Sequence, residues 1–145
     1  MRKREFYVVC HNVRSRENVG SVFRTGDAFG VTKIYLTGYT PSPPHPKISK
    51  TALGAESWIP WEKYGSASRL LKNLKGGGVC IVALEQSPKS KSLRKFKPRF
   101  PLALVIGNEV RGLSLPILKK ADEILEILML GRKESLNVAV AFGIA

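Results

Sequence analysis

Apolar residues in this chain occur in short runs separated by polar turns and by stretches with helical spacing. The short runs are rich in β-branched and aromatic residues, which predicts strands. These strands are expected at 5–10, 33–37, 57–61, 79–84, 102–106 and 124–130. Apolar positions three and four apart predict helices at 18–30, 47–56, 67–75 and 115–121, and a last one after Ser135. Strands that alternate with helices at this spacing predict parallel βαβ units and an α/β fold.

Polar and proline-rich stretches mark the expected connections. The segment 38–46 contains four prolines, each of which removes a backbone donor and restricts the residue before it. We therefore expect an ordered extended connection or a flexible flap there. Ser49, Ser114 and Ser135 are predicted N-caps, because a serine hydroxyl accepts a hydrogen bond from a free amide in the first helical turn.

The end of the chain combines an apolar run, a turn and an unusual helix. Gly131 follows the run and is expected to reverse the chain. The helix behind it, from 138 onward, carries small and apolar side chains on every face, so we expect it to be buried or to pack against a partner. Asn137 stands beside Ser135 at the helix mouth, where free amides favour a polar or anionic ligand. Simple capping by both residues is the alternative.

The composition is that of one globular domain. A chain of 145 residues, 43% of them hydrophobic, can bury a core without disulfides or metals. No apolar run approaches the roughly 20 residues that span a bilayer, and no signal peptide is recognisable, so we expect a cytoplasmic protein with no membrane partner. Cys10 and Cys80 lie in apolar runs and are predicted to be buried, unreactive thiols. His11 and His45 have no acidic companion at ligand spacing, so no metal site is predicted.

The formal net charge of +13 adds a functional constraint, because so large an imbalance opposes compaction. It is typical of proteins that bind a polyanion, and nucleic acid is the first candidate. An anionic membrane is the alternative, but no basic amphipathic helix with a broad apolar face is present. The segment 87–100 interleaves six basic residues with Phe96 and Phe100, which favours a nucleic-acid groove. A solvated loop explains this segment equally well.

A candidate ligand site follows the buried run 102–106. Gly107 comes directly after it and lets a ligand approach the backbone at the carboxyl end of a strand, where open α/β sheets bind ligands. The loop is not a P-loop, since Leu113 and Ser114 stand where that motif requires Lys followed by Ser or Thr.

Three segments together carry a resemblance to a known family. They are Asn18-Val19-Gly20-Ser21-Val22-Phe23-Arg24-Thr25, Val105-Ile106-Gly107-Asn108-Glu109-Val110-Arg111-Gly112-Leu113-Ser114 and Ser135-Leu136-Asn137-Val138-Ala139-Val140-Ala141. In this order and at these separations they resemble the three motifs of the SpoU/TrmH-type RNA ribose 2'-O-methyltransferases of the SPOUT superfamily. The resemblance covers nearly the whole chain.

This resemblance implies a parallel-sheet SPOUT (α/β-knot) domain with a C-terminal trefoil knot, bound S-adenosylmethionine and an obligate homodimer. The implied activity is methyl transfer from S-adenosylmethionine to a ribose 2'-hydroxyl of tRNA or rRNA. We expect a single SpoU-type domain over 1–145 without a separate RNA-binding extension. A catalytically silent basic RNA-binding module with the same fold is the alternative.

The resemblance also assigns site residues, position by position. The methyl donor is expected to contact Leu84, Glu85, Gly107, Ile127, Met129, Leu130 and Leu136. The catalytic set is expected to be Asn18, Arg24, Glu109, Ser135 and Asn137. Backbone groups in such loops suit the polar edge of adenine, and the apolar side chains among these positions suit its faces.

Arg24 is the family's usual candidate base for the 2'-hydroxyl proton. A guanidinium keeps its proton, since its pKa lies above about 12, so the other reading is a phosphate clamp that stabilises developing alkoxide charge. Glu109 is expected to orient Arg24 or to hold a helix end, and Ser135 and Asn137 to anchor the ribose or the knot. The first and last helices are expected to pack against a second copy, so that one site draws residues from two chains.

Overall fold

The computed structural model describes residues 4–145 and consists of a parallel sheet with helices on both faces. The strands are β1 Phe6–His11, β2 Lys33–Thr37, β3 Trp61–Tyr64, β4 Cys80–Leu84, β5 Lys91–Ser92, β6 Leu102–Ile106 and β7 Glu123–Glu126. The helices are α1 Arg16–Ala28, α2 Pro46–Ala52, α3 Ala67–Gly76, α4 Leu115–Leu118 and α5 Val138–Ile144. The strand order across the sheet is β3-β2-β1-β6-β4-β7-β5, and every neighbouring pair is parallel. The predicted α/β parallel-sheet class is confirmed.

Each face of the sheet carries its own apolar core. Helices α1, α2 and α5 cover one face, where Phe23, Ile48 and Phe142 pack against strand residues such as Val8. Helices α3 and α4 cover the other face. Because both faces are covered, the central strands are buried on both sides and have no polar alternation. This explains why 102–106 reads as an unbroken apolar run.

Two strands differ from their predicted positions. The strand expected at 57–61 is replaced by a 3₁₀ turn, Ala55–Ser57, and β3 begins only at Trp61, where it pairs with β2. The strand expected at 124–130 ends at Glu126. Its neighbours β4 and β5 end opposite Leu125 and Glu126, so the backbone beyond has no ladder partner. Pairing within the sheet therefore does not account for the apolar residues at 127–130.

Helix caps were the least accurate part of the prediction. Helix α2 starts at Pro46, and the His45 ring accepts a hydrogen bond from the Lys47 amide (3.1 Å), so the predicted cap at Ser49 is wrong. Asn137, and not Ser135, caps α5 by accepting from the amides of Ala139 (2.9 Å) and Val140 (3.2 Å).

Other helix ends and one turn also differ from expectation. Helix α1 starts two residues early, at Arg16, because Ser15 accepts from the Asn18 amide at 3.1 Å. Helix α4 is only four residues long, and its N-cap residue Ser114 makes no side-chain capping bond. Gly131 has no positive φ, and a Cβ there would meet open space, so the reversal does not depend on glycine.

Both cysteines are buried free thiols, as predicted. Burial raises the pKa of the Cys10 thiol to about 12, which leaves it protonated and unreactive at neutral pH. Between residues 4 and 145, no helix has both the length and the apolar character that a bilayer crossing requires.

Gly20 marks the closest approach of two helices. A Cβ built on it would overlap the Thr51 hydroxyl and the Ile48 carbonyl oxygen of α2. Gly26, six residues later in the same helix, would place its Cβ no closer than 3.4 Å to a flexible Val31 methyl. The glycine at position 20 is therefore fixed by packing, although alanine favours helix more strongly.

We expect Gly20→Ala to lower the free energy of unfolding by roughly 1–3 kcal/mol, because α1 and α2 must separate to admit the methyl group. Gly26→Ala is the matched control and should be neutral or stabilising by up to about 1 kcal/mol, as helix propensity alone predicts. Urea unfolding of the two variants measures both values. Equal effects at the two positions would contradict the proposed close packing.

Candidate active site

A cleft opens at the carboxyl edge of the sheet, where the segments after β4, β6 and β7 meet. Parallel strands bring their carboxyl ends to one edge, so these three segments converge although they are far apart in the chain. The cleft has a volume of about 170 Å³. Its walls come from 84–86, 106–110 and 126–129, and the segment that leads into α5 closes it.

Six of the seven positions predicted to contact the methyl donor line this cleft. They are Leu84, Glu85, Gly107, Ile127, Met129 and Leu136. The seventh, Leu130, does not line it and is 89% exposed. Side chains after β7 alternate as in an extended segment, so that Ile127 and Met129 face the cleft while Leu128 and Leu130 are exposed. This alternation accounts for the apolar run beyond the end of β7.

Gly107 and Glu85 fix the shape of the cleft floor. A Cβ on Gly107 would lie 2.8 Å from the carbonyl group of Gly112, so only glycine fits there without moving the backbone. The Glu85 carboxylate accepts hydrogen bonds from the amides of Leu113 (2.7 Å) and Gln86 (3.0 Å). It thereby joins the loop after β4 to the loop after β6.

Asn108 organises the loop after β6 and was missed by the sequence reasoning. Its side-chain oxygen accepts from the amides of Val110 (2.9 Å) and Arg111 (2.8 Å). Its side-chain nitrogen donates to the Asn12 carbonyl (3.0 Å) and to the Tyr39 hydroxyl (2.9 Å). The sequence can indicate an asparagine whose side chain accepts hydrogen bonds from the amides two and three residues later. It does not indicate the long-range partners of that side chain.

Glu109 links this loop to the start of α1. Its carboxylate accepts from the amides of Arg14 (3.0 Å) and Ser15 (3.1 Å) and from the Asn18 side chain (3.1 Å). The Asn18 oxygen accepts in turn from the Asn137 side chain (3.1 Å). Three of the five predicted catalytic residues are thus joined in one hydrogen-bonded chain. Of the two roles expected for Glu109, the structure places it at the helix end.

The hydrogen bonds to Glu109 also set its charge state. Partial burial alone would raise the pKa of this carboxyl group, but the donors from Arg14, Ser15 and Asn18 outweigh burial and lower it. Glu109 is therefore ionised at neutral pH, with its acceptor positions engaged by N–H groups.

The other two predicted catalytic residues lie in different places. Ser135 lines the cleft. Arg24 is exposed and lies about two turns beyond Asn18 on α1. It does not line this cleft. Within residues 4–145 its side chain makes no hydrogen bond and no salt bridge. A single chain therefore does not bring Arg24 to the cleft.

The two aromatic rings of the basic segment 87–100 make contacts within the fold. Phe96 packs against the core, and Phe100 packs edge-on to Phe6 with centroids 6.3 Å apart. The Arg4 guanidinium lies 5.7 Å from the Phe100 centroid. Both rings thus have contacts within the fold, and the nucleic-acid groove expected for this segment stays a prediction, as does the solvated loop.

A model of the SpoU rRNA Methylase family matches residues 5–145. The chain belongs to this family. It is 35% identical to a tRNA (guanosine(18)-2'-O)-methyltransferase of Aquifex aeolicus, over 99% of this chain and 67% of the relative. It is 30% identical to the putative TrmH family tRNA/rRNA methyltransferase YacO of Bacillus subtilis, over 96% of this chain and 55% of the relative.

Solved structures show the same SpoU fold. The AdoMet-bound rRNA methyltransferase from Sinorhizobium meliloti matches with a TM-score of 0.91 and 30% identity, covering 98% of this chain and 54% of that one. The chain thus spans little more than half the length of some of its SpoU relatives. The family and the parallel-sheet fold predicted from the three motifs are confirmed, and the trefoil knot stays a prediction.

The charge of Glu109 has a consequence for acid stability. Because its pKa is lowered in the folded state, its contribution is present above the unfolded pKa of about 4.3 and is lost as the pH falls through the folded value. We expect Glu109→Gln to be less stable than wild type by about 1 kcal/mol at pH 7, since hydrogen bonds to a charged but partly exposed group are modest. The difference should disappear as the pH falls below 4.

Thermal unfolding from pH 3 to pH 7 measures this difference. The control is Glu134→Gln, whose exposed carboxylate makes no hydrogen bond within residues 4–145. It should follow wild type at every pH. A Glu109→Gln deficit that persisted unchanged at pH 3 would show that shape, and not charge, matters at this position.

Proposed function

We propose that this SpoU-family domain transfers a methyl group from S-adenosylmethionine to a ribose 2'-hydroxyl of tRNA or rRNA. The observation that carries the proposal is the cleft at the carboxyl edge of the sheet, beside the chain of hydrogen bonds from Glu109 through Asn18 to Asn137. The names of the relatives from A. aeolicus and B. subtilis, both RNA methyltransferases, support it.

The residues around the cleft fit S-adenosylmethionine. Gly107 leaves backbone exposed on the cleft floor, where an added Cβ would displace the Gly112 carbonyl. Ile127, Met129 and Leu136 supply apolar walls for the flat faces of adenine. When bound, this donor supplies a sulfonium methyl that an oxygen nucleophile attacks in line. The S. meliloti structure is described as AdoMet-bound, which supports the same ligand here.

Glu109 is a positioning residue in this mechanism. A general base needs a free lone pair near the proton it removes, whereas the Glu109 oxygens accept three hydrogen bonds that hold the start of α1. Asn18 and Asn137 hold α1 against the mouth of α5. Ser135 lines the cleft, and its hydroxyl hydrogen-bonds the ribose in this proposal.

Arg24 enters the site from a second copy of the chain. Its guanidinium binds the phosphate beside the target ribose and stabilises the developing alkoxide, while phosphate or water takes the proton. Helix α5 supplies an apolar surface for such a homodimer: Val140 and Ile144 are 52% and 53% exposed, and α5 packs on α1 through Gly143 and Thr25. A two-fold axis near these helices gives each cleft the partner's arginine.

Donor binding tests the cleft directly. We expect S-adenosylmethionine to bind wild type in a calorimetric titration, and Gly107→Ala to weaken binding by about tenfold or more, since an overpacked backbone contact costs roughly 1–3 kcal/mol. Gly131→Ala is the control, because a Cβ there meets open space. A chain that bound RNA but not the donor would support the catalytically silent RNA-binding module instead.

Subunit mixing tests the position of Arg24. Arg24→Ala should lower turnover far more than donor affinity, and Gly107→Ala should lower donor affinity. When equal amounts of the two variants are unfolded and refolded together, half of the dimers are mixed and each mixed dimer holds one intact site. Methyl incorporation into tRNA should then recover to roughly a quarter of wild type. No recovery in dimers shown to exchange subunits would place Arg24 in the site of its own chain.

A further inference from the structure

A second concavity lies beside the cleft and is lined by charged side chains. It has a volume of about 840 Å³. We call it the basic groove and define it by Arg14, Arg16, Lys47, Arg111 and Tyr39. Residues 108–110 line both the groove and the cleft, so one stretch of backbone forms the wall between them.

The charge of the basic groove favours an anionic ligand. Its four cationic side chains are all exposed. Two carboxylates also line it, but both have local partners. Glu109 accepts three hydrogen bonds from N–H groups, and Glu17 accepts one from the Ser15 hydroxyl at 3.3 Å. The cations therefore outnumber the carboxylates in the groove, and they can engage several phosphates along one strand.

Tyr39 gives the groove a fixed aromatic surface. The residue is 57% exposed, yet it is held at both ends. The hydroxyl accepts from the Asn108 side chain at 2.9 Å, and the backbone amide donates to the Asn12 side chain at 3.1 Å. A ring that is anchored and exposed loses little entropy when a base stacks on it.

We propose that the basic groove binds the RNA strand next to the modified nucleotide. Arg14, Arg16, Lys47 and Arg111 contact its phosphates, and Tyr39 stacks on one of its bases. The strand then crosses the wall at 108–110, which brings the neighbouring ribose to the cleft. This inference rests on the proposed methyl transfer to RNA and adds the surface that positions the substrate.

The groove suits this role better than the basic segment 87–100. In that segment Phe96 packs against the core, Phe100 packs edge-on to Phe6, and Lys91 is paired with Glu123 at 3.1 Å. Its strand β5 lies at the far edge of the sheet, whereas β1 and β2, which lead into the groove residues, lie on the other side of β6. The proline-rich connection 38–46 thereby acquires a role, because it holds Tyr39 and leads directly to Lys47.

The test compares two triple variants that lose the same charge. The groove variant carries Arg14→Ala, Arg16→Ala and Lys47→Ala, and leaves Arg111 intact so that the sequence of the loop after β6, which also lines the cleft, is unchanged. The control carries Arg69→Ala, Lys72→Ala and Lys119→Ala, three exposed residues on and near the helices of the opposite sheet face. The probe is a pool of tRNA transcripts without modifications.

We expect the groove variant to bind this RNA about tenfold or more weakly, and the slope of log affinity against log salt to fall by about 2, at roughly 0.7 per lost phosphate contact for a single strand. The KM for RNA should rise by a similar factor, while the affinity for S-adenosylmethionine stays unchanged. The control should keep RNA affinity within about twofold of wild type. Equal losses in both variants, or none in the groove variant, would overturn the inference.

Tyr39 provides an independent measurement. Tyr39→Phe keeps the ring and loses only the hydroxyl bond to Asn108, so RNA affinity should fall by about twofold. Tyr39→Ala should lower it by about tenfold, since stacking on one base contributes on the order of 1–3 kcal/mol. Equal effects of the two changes would show that the hydroxyl, and not the ring, matters.

Failure of the proposed function gives a different result. In that case wild type neither binds S-adenosylmethionine nor methylates the transcripts, whatever its affinity for RNA. If wild type methylates the transcripts and both groove changes leave KM and RNA affinity unaltered, the methyl transfer stands and the groove assignment is wrong.

Discussion

The hydrogen bonds accepted by the Glu109 carboxylate are the interaction on which the site depends. They fix the loop after β6 against the residues that lead into α1, and Asn18 extends this connection to Asn137 at the start of α5. Three segments that are distant in sequence are thereby held in one arrangement. A neutral side chain at position 109 would lose the charge that strengthens these hydrogen bonds. The lowered pKa of Glu109 is the electrostatic consequence of the same bonds.

Residues 108–110 separate the cleft from the basic groove, two concavities with different chemistry. On the cleft side, Ile127, Met129 and Leu136 form apolar surfaces around the exposed backbone of Gly107. On the groove side, arginine and lysine side chains stand in solvent. The flat faces of the proposed donor's adenine and a polyanionic acceptor need such different surroundings, yet the reacting atoms must meet within van der Waals distance. Asn108 keeps the wall rigid, because its side chain uses all four of its hydrogen bonds to hold both sides.

The cationic side chains behind the net charge of +13 occur in two kinds of surroundings. Some cations are held in local pairs, such as Lys33 with Glu62 and Lys75 with Asp122. Those of the basic groove are not paired in this way and remain exposed. Self-repulsion among like charges destabilises the free protein and is relieved when a polyanion binds, which would add to the affinity for the proposed RNA substrate. The exposed apolar residues of α5 are a second surface that a single chain leaves uncovered, which is the reason for placing the partner copy there.

Local pattern was sufficient to identify most of the framework. The strands at 33–37 and 102–106 were predicted with correct bounds, because short and mainly apolar runs are recognisable from neighbouring residues alone. The three motifs identified the family. Six of the seven positions assigned to the methyl donor line the cleft, since the carboxyl ends of parallel strands meet at one edge of the sheet. Leu130 does not line the cleft, because side chains alternate in the extended segment after β7 and that of Leu130 is exposed.

Only the tertiary structure decided which side chains of the site hydrogen-bond to one another. The bonds from Asn18 to Glu109 and from Asn137 to Asn18 join residues 91 and 119 positions apart, so no local pattern contains them. The same contacts made Asn137 the cap of α5, held Glu109 at the helix end and left Arg24 outside the cleft of its own chain. The sequence by itself determined the elements and the residue types available at the site. Their partners depended on three-dimensional proximity, because a hydrogen bond forms between whichever groups the packed sheet brings within about 3 Å.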